Sequence, residues 1–320
     1  MRLLCVGALV AGGRALSSSP RAAAVEFHDA LLSGAVDARA AVARLEAMEA
    51  GGPAAPDLVT YALVAAACLD EGRAEADAVL ARGAAFSKAR AAYRKPPKRG
   101  VLDRAAAALE VLHEDDRVIA VAKPNGVLSM AAGTTKRFAT LPDAVALAAG
   151  VALSDLGGPN ALGVVHRLDR DASGAMVLAK TRAAHALLVR EFAARRVRKT
   201  YLAVGRGAAT WDGARAVDDD VQGKPAATEV AALAAGGDRV LLDCRARTGR
   251  KHQVRLHCAA LGLPLVGDPR REKKPETPGI MLHGAALAVD AFDLDVACAP
   301  PAWWRDAAPG LRDALEAAVR

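Results

Sequence analysis

His166-Arg167-Leu168-Asp169-Arg170-Asp171-Ala172-Ser173-Gly174, running on into Ala175-Met176-Val177-Leu178-Ala179, is the stretch from which the rest of the chain is read. Charged and small residues make a turn, and the apolar run after it has the length of a buried strand. Asp169 is thereby placed at a defined point beside a low-dielectric core, where neighbouring charges tune a carboxyl group. Two readings of Asp169 stay open at this level. It is a structural partner of the adjacent arginines, or a carboxylate that those arginines keep ionised for chemistry.

Working outward, further strand-length runs recur at Val118–Val121, Tyr201–Val204, Glu229–Leu233 and Val240–Leu242, separated by turns carrying Gly, Pro or Asp. Helical stretches intervene at 141–149, 183–194 and 252–261. Strands and helices mingle without strict alternation, so the expected class is α+β and not a doubly wound parallel sheet.

The chain has 320 residues, enough for one large domain and a smaller one, and 52% of them are hydrophobic. Its formal net charge of +7 favours a polyanionic partner, and a surplus of arginine suits phosphate. The cysteines (Cys5, Cys68, Cys244, Cys258, Cys298) are odd in number and lack any Cys-x-x-Cys pair, so no zinc module or disulfide framework is indicated. His252 and His257 miss the i, i+4 spacing of a helical metal pair. The expectation is a reduced compartment, no metal and no membrane span.

Residues 1–25 hold Arg2, Arg14, Arg21 and Ser17–Ser19 with no acid before Glu26, which reads as a transit peptide for mitochondrion or chloroplast. An unaddressed, alanine-rich N-terminus in a cytoplasmic protein is the alternative. Residues 26–86 read as helical, with a repeat offset of 34 from Phe27 to Tyr61. The segment Pro56-Asp57-Leu58-Val59-Thr60-Tyr61, with Gly72-Arg73 at the following turn, resembles a pentatricopeptide repeat, a likeness that implies RNA-base reading. An alanine-rich hairpin that only packs is the competing reading. Residues 87–104, rich in Lys and Arg around Pro96-Pro97, read as a basic linker. A catalytic domain is expected over 105–300 and a helical tail over 301–320.

Known catalytic patterns are absent around Asp169. Only Asp171 is near enough to help hold a metal, Ser173-Gly174 lacks the leading glycine of a nucleophile elbow, and no phosphate-loop ending follows. The segment instead resembles the His-Arg-Leu-Asp-x-x-Thr-Ser-Gly signature of the RluA-like pseudouridine synthases. Further matches follow in that family's order: Asp116–Leu128 with its Lys123-Pro124 turn, Arg198–Val204 with Lys199-x-Tyr201, Gly223–Thr228, Arg247–His257 continued to Gly267-Asp268, and Met281–Leu287.

The resemblance covers residues 112–290. It implies the pseudouridine synthase fold, a mixed, mainly antiparallel sheet flanked by helices, here behind a small all-α hairpin region. It also implies cofactor-free isomerisation of uridine in rRNA or tRNA by a monomer, on a base flipped out of its stack. Carried over by motif, Asp169 is the nucleophile and Arg255 the cation that keeps it anionic. Tyr201 stacks on the base and assists late proton removal. His166 and Arg167 lie where the stack opens, and Lys123, Arg247, Arg250 and Lys251 meet phosphates. Two departures stand out: Ala172 where threonine is usual, and Pro269-Arg270-Arg271 where an aromatic is usual. A binding protein that kept the fold without the activity is the alternative.

Overall fold

A computed structural model describes residues 19–52, 54–89, 97–131 and 138–318. Residues 1–18 of the leader read over 1–25 lie outside these, as do the middle of the basic linker and part of the loop after Met130. Four helices come first: α1 (Pro20–Leu32), α2 (Ala38–Glu49), α3 (Leu58–Asp70) and α4 (Glu75–Ala89). α1 thus starts ahead of the boundary expected at residue 26. Asp57 opens α3 with a reciprocal capping box, its carboxylate accepting from the Thr60 amide while the Thr60 hydroxyl accepts from the Asp57 amide.

The two hairpins repeat at an offset of 38, not 34. Gly34 and Gly72 both take left-handed backbone, and each is followed by the same closing bond, Ala35 N–H to Ala30 and Arg73 N–H to Cys68. Phe27 sits past the middle of α1 whereas Tyr61 lies in the first turn of α3, so the aromatic spacing misjudged the period. α3 is buried on nearly every side because α1, α2, α4 and α7 (Arg182–Ala193) surround it. The helix that most resembles a pentatricopeptide repeat therefore offers almost no free face for reading bases.

The helical unit is also not a separable appendage. Its core of Phe27, Leu45, Val64, Val79 and Leu80 closes only with Leu156 and Ala186, both from the expected catalytic domain. α7 is covered on one face by this cluster, while its Ala184 and Leu188 pack under the sheet. The linker is short, since α4 ends at Ala89 and α5 (Arg99–Ala107) crosses the boundary expected at 105.

Beyond α5 the chain builds one nine-stranded sheet: β1 (Glu110–Glu114), β2 (Val118–Lys123), β3 (Ser173–Ala179), β4 (Arg198–Arg206), β5 (Ala214–Val217), β6 (Thr228–Gly236), β7 (Arg239–Ala246), β8 (Leu282–Val289) and β9 (Leu294–Ala297). The spatial order is β1-β2-β3-β8-β4-β7-β6-β5, with β9 on β8. Every pairing is antiparallel except β3 with β8, which bears out the mixed, mainly antiparallel sheet. The helices α6 (Leu141–Ala149), α7 and α8 (Gln253–Ala260) fall where the hydrophobic pattern set them. α9 (Trp303–Ala307) and α10 (Arg312–Ala317) close the described chain, with Trp304 buried against β4 and β7 residues.

The parallel contact explains the glycine of the opening motif. β3 meets β8 only at Ser173/His283 and Gly174/Gly284. Gly174 has φ 127°, and a Cβ there would lie 2.3 Å from the Gly284 nitrogen. No other residue fits that backbone and that approach. Behind it the Ser173 hydroxyl meets His283 Nδ1 at 2.8 Å, so the strand leaving the loop is pinned on both counts.

Candidate active site

Asp169 lies in the loop between the expected turn and β3, and the loop is fixed from below by Lys123. The Lys123 ammonium, 1% exposed, donates to the carbonyls of Pro124, Val127, Arg170 and Ala172 at 2.7–3.2 Å. Burial pushes its pKa down to about 7, opposed by the charges of Asp171 and Asp169. Lys123 is therefore not the phosphate contact expected of it. With its donors turned onto backbone, it clamps Arg170 inside the Asp169–Asp171 turn and Ala172 just after it. Ala172 is buried among apolar neighbours, and its contribution to the clamp is its carbonyl, so the missing threonine hydroxyl leaves that contact intact.

The arginines beside Asp169 in sequence are not its partners. Arg170 makes a two-pronged pair with Asp171 and lies 4.5 Å from the Phe138 ring centroid, while Arg167 is exposed. The partner arrives from α8: Arg255 Nη1 donates to Asp169 Oδ2 at 2.9 Å. His252 Nδ1 lies 2.8 Å from the same oxygen and 2.6 Å from Arg255 Nη1, closing a triangle. On its other edge the Arg255 guanidinium is held two-pronged by Asp268, Nε to Oδ2 at 3.0 Å and Nη2 to Oδ1. Arg255 thus bridges two carboxylates, one fully enclosed and one facing outward.

Burial alone drives the Asp169 carboxyl up, but Arg255 and His252 outweigh it and hold it below the usual carboxylate range. Asp169 is accordingly an anion at neutral pH, mostly shielded yet still 14% exposed. His252 is pushed down by burial against the pull of Asp169. Its backbone has φ 62°, in the left-handed region that histidine enters more readily than most non-glycine residues, and its ring meets Asp169 from the start of α8.

Neither His252 nor Asp268 was picked out as a site residue, although both lie in quoted motifs. The signal available was adjacency: each is within a segment already carrying a chosen arginine.

The rest of the 247–257 motif is scaffolding. Thr248 Oγ1 donates to Gln253 Oε1 at 2.6 Å and accepts from the Ala227 amide. Gln253 Nε2 reaches Ala227 O and Thr228 Oγ1, and His257 Nδ1 meets Thr228 Oγ1. These buried bonds fasten the start of α8 to the start of β6, which fixes where Arg255 points.

Close by lies a cavity of about 520 Å³, lined among others by His166, Arg167, Phe192, Tyr201, Arg247 and Arg250; Asp169 meets it through its sequence neighbours Arg167 and His166 and through Tyr201, and is not itself part of the lining. Tyr201 sits on β4, and burial together with the Asp169 charge pushes its phenol up to about 12, so it rests protonated. Arg247 is exposed, Arg250 donates to Pro225 O at 3.0 Å, and Lys251 is exposed on the turn before α8. His166 contributes differently from the RNA contact expected. Its Nε2 accepts the Val177 amide at 3.0 Å, its ring stacks on Phe192 at 4.6 Å, and burial pushes its pKa down to about 3. It is a neutral wall that ties the loop entrance to β3.

Residues 117–260 match the family model described as RNA pseudouridylate synthase. The ribosomal large subunit pseudouridine synthase D of Zymomonas mobilis is 37% identical over 199 residues, 58% of this chain and 62% of that protein. The protein of the same name in Xanthomonas campestris is 38% identical over 175 residues, 50% of this chain and 51% of that one. The chain therefore spans only about half to three-fifths of the length of these curated relatives. A solved structure, human RNA pseudouridylate synthase domain containing 1, matches with TM-score 0.49 and 26% identity over 66% of this chain and 88% of that one. Residues 117–260, which contain Asp169, Tyr201 and Arg255, are thus similar to the RNA pseudouridylate synthases.

Proposed function

We propose that this chain converts uridine to pseudouridine in RNA, without a cofactor, with Asp169 as nucleophile. The observation that carries the reading is the Asp169–Arg255 pair beside a cationic cavity that also holds Tyr201. An anion that attacks needs a partner strong enough to keep it ionised, and an opening through which a base can reach it. The cavity volume is that of a small-molecule site, suited to one nucleotide taken out of its stack. In this reading Asp169 breaks or captures the glycosidic linkage, and the freed uracil turns within the cavity against the neutral Tyr201 ring. Arg167, Arg247 and Arg250 hold the flanking phosphates.

The names of the relatives support large-subunit ribosomal RNA as the substrate. The composition of residues 1–25 supports a mitochondrial or plastid site of action. Asp169→Asn keeps the shape of the loop and removes the charge. Turnover should fall on the order of 10⁴-fold or more while RNA binding persists, read by pseudouridine mapping of ribosomal RNA alongside a binding assay. Normal pseudouridine formation by that variant would overturn the assignment.

A further inference from the structure

The cavity beside Asp169 does not end at Tyr201. A second cavity of about 550 Å³ meets the first at the start of β4 and the end of β7, sharing Arg195, Val197, Lys199 and Arg247 with it. Arg198 and Arg245 line the second alone. Its floor is laid down by strand register: Thr200 faces Arg245 on one side and Ala286 on the other, and Arg198 faces Ala288. The small side chains Ala286 and Ala288 leave a trough, with Arg198, Arg245 and Arg247 rising beside it.

Lys199 stands where the two cavities meet. It is mostly buried, burial lowers its pKa, and no carboxylate pairs with it among the described residues. On β4 it alternates with Arg198 and Thr200 and shares the face of Tyr201, at the edge that both cavities use. Arg195 at the same junction is exposed and held with φ 58°. The pairs Arg198–Asp290 and Arg245–Asp243 are surface pairs, weak enough for a phosphate to displace the carboxylate. Asp295, the one acid lining the trough among the described residues, pairs in register with Ala288.

We infer that this second trough is a subsite for the RNA strand continuing on one side of the flipped uridine, with Lys199 and Arg195 receiving the first phosphate and Arg198 and Arg245 the next. The inference rests on the reading above that the chain works on RNA. A stretch of single strand fits better than duplex, because the trough is a continuation of the opening into which a nucleotide is drawn.

The test is direct binding, kept apart from turnover. Affinities are measured for a uridine-containing RNA hairpin and for the same hairpin with a short single-stranded 5′ or 3′ tail, across a range of salt. The wild-type protein should bind one tailed form about ten times more tightly than the untailed one. Arg198→Gln/Arg245→Gln should erase that gain and lower the salt slope for the tailed RNA by about two, leaving the untailed hairpin unaffected. Asp295→Asn should tighten the tailed RNA a few-fold, since it removes a negative charge from the path. A tail that adds nothing to wild-type binding, or a gain that survives the double substitution, would overturn the subsite. Pseudouridine formation, scored on the same samples, tells a failed subsite from a failed activity.

Discussion

The helical unit and the sheet domain are both well-packed, but they are held by different forces and answer to different errors. α1–α4 are joined by apolar burial and helix caps, and Leu156 and Ala186 complete their core. The loops over the sheet are held by buried polar contacts: the Lys123 clamp, the Thr248–Gln253–Thr228 network and the Asp169–Arg255–Asp268 bridge. Shape comes from the first region and chemistry from the second. α7 connects them, with one face in the helical core and Phe192 at the cavity wall.

The strongest way to break that contrast is Asp268→Asn. Arg255 then keeps Asp169 but loses the anion that aims it, and turnover should fall about a hundredfold. Breaking a buried pair also costs about 3 kcal/mol, so single-turnover rates and thermal unfolding must be measured together. A loss of stability with unchanged turnover would show that Asp268 only supports the fold.

Ala186→Leu overpacks the shared core and should destabilise by about 1–3 kcal/mol, with kcat on a small RNA changed less than threefold. A hundredfold fall in kcat at preserved folding would make α7 part of the catalytic apparatus and erase the division between the regions.

A smaller effect is expected from pH. The folded pKa of Asp169 lies below its unfolded value, so its contribution to stability is fully present above about pH 4. It fades as pH falls through the lowered folded value. Wild-type protein and Asp169→Asn should therefore differ by a constant amount in unfolding free energy between neutral pH and about pH 5, and converge in more acid solution. Convergence already near neutrality would mean that Arg255 and His252 do not keep Asp169 ionised.

Much of this was legible because local rules act locally. α6 begins and ends where its apolar periodicity does, and β2, β3, β4, β6 and β7 contain the runs read as strands. The roles of individual polar residues were less legible. Lys123 and Arg247 look alike in sequence, yet one is enclosed by four carbonyls and the other is exposed. Charge type is written in the residue, whereas its destination depends on which backbone atoms close around it. The repeat period failed for a related reason: Phe27 and Tyr61 are both core aromatics, but they stand at different heights on their helices.

The order and spacing of the motifs, the α+β class and the choice of Asp169 follow from the residues alone, since strand alternation, helix periodicity and the motif signature are properties of neighbouring positions. The tertiary structure decided which cation Asp169 meets. The arginines next to it in the chain turn away, because the clamped loop and the Gly174–Gly284 approach fix the direction of every side chain in the turn. Arg255 reaches it from 86 residues further on, aimed by Asp268. Electrostatic partnership depends on distance in space, and the folding of β4, β7 and β8 between these segments sets that distance.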